Sequence, residues 1–143
     1  MEKLVKIIFF MSIMVGCSTV KNQVDTKVSD LEVSRYLFSR GRIENQIVNH
    51  RQTIIVTSKD SIIKETNSAD WKKIEKLVNQ ISLNNLENIP VESTSKAHQY
   101  DGAAGVSLQI NQGKQTYYSP LYDEGRAPKE IHELDEFLAS FSK

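Results

Sequence analysis

Asp101, Asp123 and Glu124 are the side chains of this 143-residue chain whose types and positions could be pooled for chemistry. Asn111-Gln112-Gly113-Lys114 reads as a hairpin turn, and a turn centred near residues 112–113 places Asp101 near Glu124 and Gly102 near Asp123. Two segments distant in sequence, His98-Gln99-Tyr100-Asp101-Gly102 and Tyr122-Asp123-Glu124-Gly125-Arg126, are then expected to meet at one end of a sheet. Paired carboxylates at that end could share acid and base roles in a hydrolysis, or hold a cation. The bland alternative is that Asp101-Gly102 is a turn whose carboxylate bonds local amides, with Arg126 pairing with Asp101 or Asp123. Loops on a rigid scaffold concentrate function, so His98, Tyr100, Asp101, Gly102, Tyr122, Asp123, Glu124 and Arg126 form the candidate binding surface.

Other chemistries lack their residues. The carboxylate spacing has no dense D-x-D calcium loop, and His50, His98 and His132 fall on separate elements, so no metal is expected. Ser119 precedes Pro120 without a nucleophile elbow, and neither a G-x-G-x-x-G nor a Walker-type loop is present. Neither a catalytic set nor a cofactor is therefore expected. Eighteen basic and eighteen acidic side chains leave no basic excess for nucleic acid. A single cysteine excludes an internal disulfide framework and any multi-cysteine zinc site.

That cysteine carries the sharpest signal. Lys3 and Lys6 precede an apolar run, and Leu4 to Gly16 is 13 residues. As a helix it reaches about 20 Å against a hydrocarbon core of about 30 Å, too short to span and laid out like a secretion signal. Met14-Val15-Gly16-Cys17 resembles the lipobox of bacterial lipoproteins, which implies cleavage before Cys17 and a thioether-linked, acylated anchor on its sulfur. Two or three acyl chains hold where one is marginal. Residues 1–16 are thus expected to be a signal, and their loss leaves 127 residues with net charge −1 and roughly 35% hydrophobic content. Such a lean composition suits a small domain with a thin core.

Residues 17–33 are expected to be the lipidated cysteine and a flexible tether, and residues 34–143 one folded domain. Tyr36-Leu37-Phe38, Gln46-Ile47-Val48, the β-branched Thr53-Ile54-Ile55-Val56-Thr57 and Ser61 to Glu65 read as four strands. They turn at Arg40-Gly41-Arg42 and at Lys59-Asp60. Ser68 offers an N-cap to a helix whose stripe is Trp71, Ile74, Leu77, Val78 and Ile81, with Trp71 in the core. Ala103 to Ile110 alternates at period two, Gln115 to Ser119 returns, and Pro128 opens a last helix carrying Ile131, Leu134, Leu138 and Phe141. Arg35, Arg40, Arg42 and Arg51 are expected on a solvated sheet face. The expected fold is α+β: a single antiparallel sheet of about six strands, β-β-β-β-α-β-β-α, with two helices on one face.

Ser39-Arg40-Gly41-Arg42, Thr57-Ser58-Lys59-Asp60-Ser61, Ser68-Ala69-Asp70-Trp71, Tyr100-Asp101-Gly102-Ala103-Ala104 and Pro128-Lys129-Glu130-Ile131 resemble, in order and spacing, segments of small Bacteroidota lipoproteins of unknown function. The resemblance covers essentially the whole mature domain and brings no activity with it. Members of that family often carry Asp-His-Gly where this chain has Asp123-Glu124-Gly125, so no histidine-dependent role is carried over. They display at the cell surface when an acidic cluster follows the cysteine; here the first acid is Asp25, which implies an outer-membrane anchor facing the periplasm. The resulting expectation is an envelope lipoprotein acting as a binding or structural module, held by its lipid anchor and meeting an envelope protein partner. The alternative is a small hydrolase or metal-assisted enzyme built on Asp101, Asp123 and Glu124.

Overall fold

The structure is a computed structural model and describes residues 30–92 and 103–142. Seven strands form one antiparallel sheet: β1 Leu31–Ser39, β2 Arg42–Asn49, β3 Gln52–Thr57, β4 Ser61–Glu65, β5 Gly105–Gln112, β6 Gln115–Tyr118 and the two-residue β7 Tyr122–Asp123. Helix α1 (Ser68–Asn79) and a 3-10 turn (Leu83–Asn88) lie between β4 and β5, and α2 (His132–Ala139) follows β7. Spatial order is β4-β3-β2-β1-β5-β6, with β7 also on β5. The meander runs out to the β4 edge, and the α1 crossover carries the chain back to lay β5 against β1. The protein is α+β, as its patterning implied.

Alternation explains the inner face. Leu31, Val33 and Leu37 of β1, Val48 of β2 and Val106, Leu108 and Ile110 of β5 are buried, and the register aligns Val33 with both Val48 and Ile110. Trp71, Ile74, Leu77 and Val78 of α1 and Leu134 and Leu138 of α2 join that same core, sealed by Leu86 and Ile89. Each buried aliphatic side chain contributes roughly 1.5–3 kcal/mol of transfer free energy, so this face supplies the folding drive.

Five boundaries differ from the sequence reading, each for a local reason. The first strand starts at Leu31, inside the stretch read as tether, because Leu31 and Val33 continue the inward phase of Leu37. The β3–β4 turn centres on Ser58-Lys59 rather than Lys59-Asp60. It needs no glycine because Thr57 Oγ1 accepts from the Lys59 and Asp60 amides at 3.3 and 3.1 Å. Asn67, not Ser68, caps α1, its Oδ1 accepting from the Ala69 amide at 2.8 Å. Strand β5 starts at Gly105, two residues later than the alternation suggested. Pro128 starts a turn closed by the Ile131 amide on the Pro128 carbonyl at 3.0 Å, and α2 begins only at His132 because Ile131, at φ −123°, is not helical.

Candidate functional site

Four of the expected site residues, His98, Tyr100, Asp101 and Gly102, lie outside the described residues, as does Cys17 with the signal and tether up to residue 29. The other four are placed by β7 and the turn that follows it. Strand β7 buries Tyr122 and Asp123, pairing Tyr122 with Val106 and Asp123 with Gly105, and the Glu124 amide donates to the Ala104 carbonyl at 2.8 Å. Glu124 therefore faces Ala104. The β5–β6 turn sits at Gly113-Lys114, with Gly113 at φ +61°, and Ser119-Pro120-Leu121 adds a further offset before β7. Ser119 organises that offset: its Oγ accepts from the Leu108 amide at 2.8 Å and donates to the Pro120 carbonyl at 3.0 Å.

The exposed members of the loop are held by separate partners. Glu124 accepts from Arg42 of β2 at 3.2 Å, while Arg126 Nη1 lies 3.6 Å from Glu92. Asp123 is 4% exposed and Glu124 points outward, so these two carboxylates do not share one concave surface. Among the described residues, no group of three or more His, Cys, Asp or Glu could hold a metal.

The charged chemistry lies instead in the core. Arg35, at an inward position of β1, donates from Nε to Asp135 Oδ1 of α2 at 2.7 Å, and both are almost fully buried. Tyr122 donates its hydroxyl to the same carboxylate oxygen at 2.9 Å. Burial, reinforced by the Asp135 charge and this hydrogen bond and opposed by Arg35, pushes the Tyr122 hydroxyl far above the ordinary phenol range. Glu44 of β2 lies 4.0 Å from Arg35 and accepts from Gln46 and from Ser142, each at 2.7 Å; Gln46 Nε2 also donates to Ser142 Oγ. This network ties β1 and β2 to the last turns of the chain. Arg35 thus corrects the expectation of four solvated arginines. Its guanidinium is taken up by protein carboxylates, so the cluster ties the strands to the last helix.

A signal for this network was present. Arg35 falls in phase with Leu31, Val33 and Leu37, Glu44 and Gln46 with Val48, and Asp135 beside Leu134 and Leu138 on one helix face. Polar residues at positions belonging to an apolar stripe mark charges that must be paired inside.

The other face of the sheet is the larger open feature. One row across it reads Ile63, Ile54, Ile47, Ser34, Gln109, Tyr118 from β4 to β6, and the next includes Val56, Asn45, Tyr36 and Ser107. Tyr36, Ile43, Val56, Ile63 and Tyr118 are each at least 40% exposed. Among the described residues, both helices pack into the core on the opposite side. Large apolar groups gathered on one open face are what a binding surface presents. Set against known proteins, the chain matches no family model, no curated protein and no solved structure.

Proposed function

We propose that this chain is a bacterial envelope lipoprotein, anchored through acylated Cys17, whose domain is a binding or structural module without catalytic chemistry. The observation that carries the anchor is Met14-Val15-Gly16-Cys17 at the end of an apolar run preceded by Lys3 and Lys6. The reading takes the fold as the antiparallel sheet of β1 to β7 with both helices on one face and the opposite face kept for a partner. Support for the module comes from the exposed Tyr36, Ile43, Val56, Ile63 and Tyr118, and from the divergence of Asp123 and Glu124. No helix among the described residues is long and apolar enough to cross a membrane. Its place is the periplasmic side of the outer membrane, within the lipoprotein family of Bacteroidota that the sequence resembles.

Metabolic labelling tests the anchor. Cells expressing the full chain and fed an alkyne-bearing palmitate should yield a labelled band in the outer-membrane fraction, and Cys17→Ser should abolish both label and fractionation. An unlabelled parent chain overturns the anchor. Protease added to intact cells should leave the domain uncut; digestion would move it to the outer surface. Crosslinking in isolated envelope tests the module by identifying what meets its open face.

A further inference from the structure

The open face is chemically divided, and the division identifies a ligand class. Its β2–β4 half is aliphatic, with Ile43, Ile47, Ile54, Val56 and Ile63. Its β1–β5–β6 half holds a shallow depression between Tyr36 and Tyr118, floored by Ser34, Asn45, Ser107 and Gln109. We propose that this depression binds a neutral, linear glycan of equatorially substituted hexopyranose units, with the two tyrosines stacking on sugar faces and the floor bonding the hydroxyls.

Four observations converge. First, Tyr36 and Tyr118 are 41% and 55% exposed, and Tyr36 is stacked on Phe38 at 5.8 Å between ring centroids, which steadies its ring at the surface. Exposed rings with polar tips suit a ligand having both an apolar face and hydroxyl edges. Second, the registers Tyr36–Ser107 and Gln109–Tyr118 set the tyrosines two strands and two residues apart. At standard sheet spacings that is about 12 Å, the reach of a di- or trisaccharide. Third, among the described residues the side chains of Ser34, Asn45 and Ser107 make no hydrogen bond within the protein, leaving donors and acceptors directed at solvent. Gln109 is steadied by Asn111 at 3.1 Å, and Asn111 by Glu32 at 3.1 Å.

Fourth, the lining contains one acid, Glu32, and no base. Phosphates, nucleic acids and acidic polymers would find no cation there. An apolar helix would leave the hydroxyl and amide floor desolvated and unpaired, which costs free energy for each group. An uncharged polyol satisfies the floor and covers the rings together. The proposal rests on reading the domain as a binding module and names what it binds.

Titration calorimetry of the full chain, in a detergent without a sugar headgroup, against chitohexaose and cellohexaose tests it. At least one should bind in the micromolar to millimolar range. Tyr36→Ala and Tyr118→Ala should each weaken binding at least tenfold with the thermal unfolding temperature unchanged. Tyr118→Phe, which keeps the ring, and Lys72→Ala, on the exposed side of α1, should stay within threefold. Absence of binding by both oligosaccharides at millimolar concentration overturns the proposal, and so does binding unaffected by the two alanine variants. A photo-crosslinker at position 118 separates the levels: trapping an envelope protein while neither glycan binds leaves the module standing and the glycan assignment wrong.

Discussion

The guanidinium of Arg35 and the carboxylate of Asp135 meet at 2.7 Å in the core, joining the central strand to the last helix across a hundred residues of chain. Neither side chain reaches bulk solvent, so each makes the other's burial tolerable. Removing one partner strands a charge; removing both takes the pair away and leaves the Tyr122 hydroxyl and Glu44 without those partners.

Asp135→Ala should therefore destabilise the domain by roughly 3–5 kcal/mol, since it leaves the Arg35 charge buried without its closest partner. The double replacement Arg35→Met with Asp135→Leu should recover part of that loss, the remainder being the unpaired Tyr122 hydroxyl and Glu44. Urea unfolding followed by circular dichroism measures both, and a double variant no more stable than Asp135→Ala would show that the pair contributes more than mutual neutralisation.

Tyr122 sets an alkaline limit. Its folded-state ionisation lies above the unfolded-state value near 10, so its contribution is complete below about pH 10 and declines as pH rises beyond that. Above that point the unfolded chain releases the phenolic proton and the folded chain retains it, and stability should fall by about 1.4 kcal/mol per pH unit. Tyr122→Phe should lose about 1 kcal/mol at neutral pH from the missing hydrogen bond while flattening this alkaline slope. An unchanged slope in Tyr122→Phe would assign it to another group.

At the start of α1 the cap belongs to Asn67. Asn67→Ala should cost about 1 kcal/mol, whereas Ser68→Ala, at the first helical position, should change stability by less than about 0.5 kcal/mol. Equal losses in thermal unfolding would move the cap to Ser68.

Glu124 and Arg42 form a surface pair at 3.2 Å, with 38% and 52% of their side chains exposed. Glu124→Ala should cost less than about 1 kcal/mol, and half a molar of salt should shrink the difference further. A larger, salt-resistant loss would require Glu124 to do more than pair with Arg42.

Much of the domain could be read along the chain because its signals are local. Thr53 to Thr57 is β-branched and forms β3, and the Trp71–Ile74–Leu77–Val78 stripe is the buried face of α1. The positions that misled are those where a side chain replaces the expected backbone device. Thr57 supplies the turn bonds a glycine would otherwise make unnecessary, and Asn67 takes the cap one residue before Ser68. The register around Tyr122 and Asp123 was hidden for a different reason. The expected geometry is a continuous hairpin, whereas Ser119-Pro120-Leu121 resets the register and carries Tyr122 and Asp123 inward.

By itself the sequence determined most of the strand and helix segments and the apolar stripe along each, because periodicity and turn chemistry act over a few residues. Tertiary structure alone decided that Arg35 meets Asp135 and Glu44, that Asp123 and Glu124 part, and that Tyr36 and Tyr118 share an open face. A charge enters a core only where its partner arrives, and a surface becomes a site only where distant strands align. Both conditions are set by pairing between residues far apart in the chain, which local patterning does not encode.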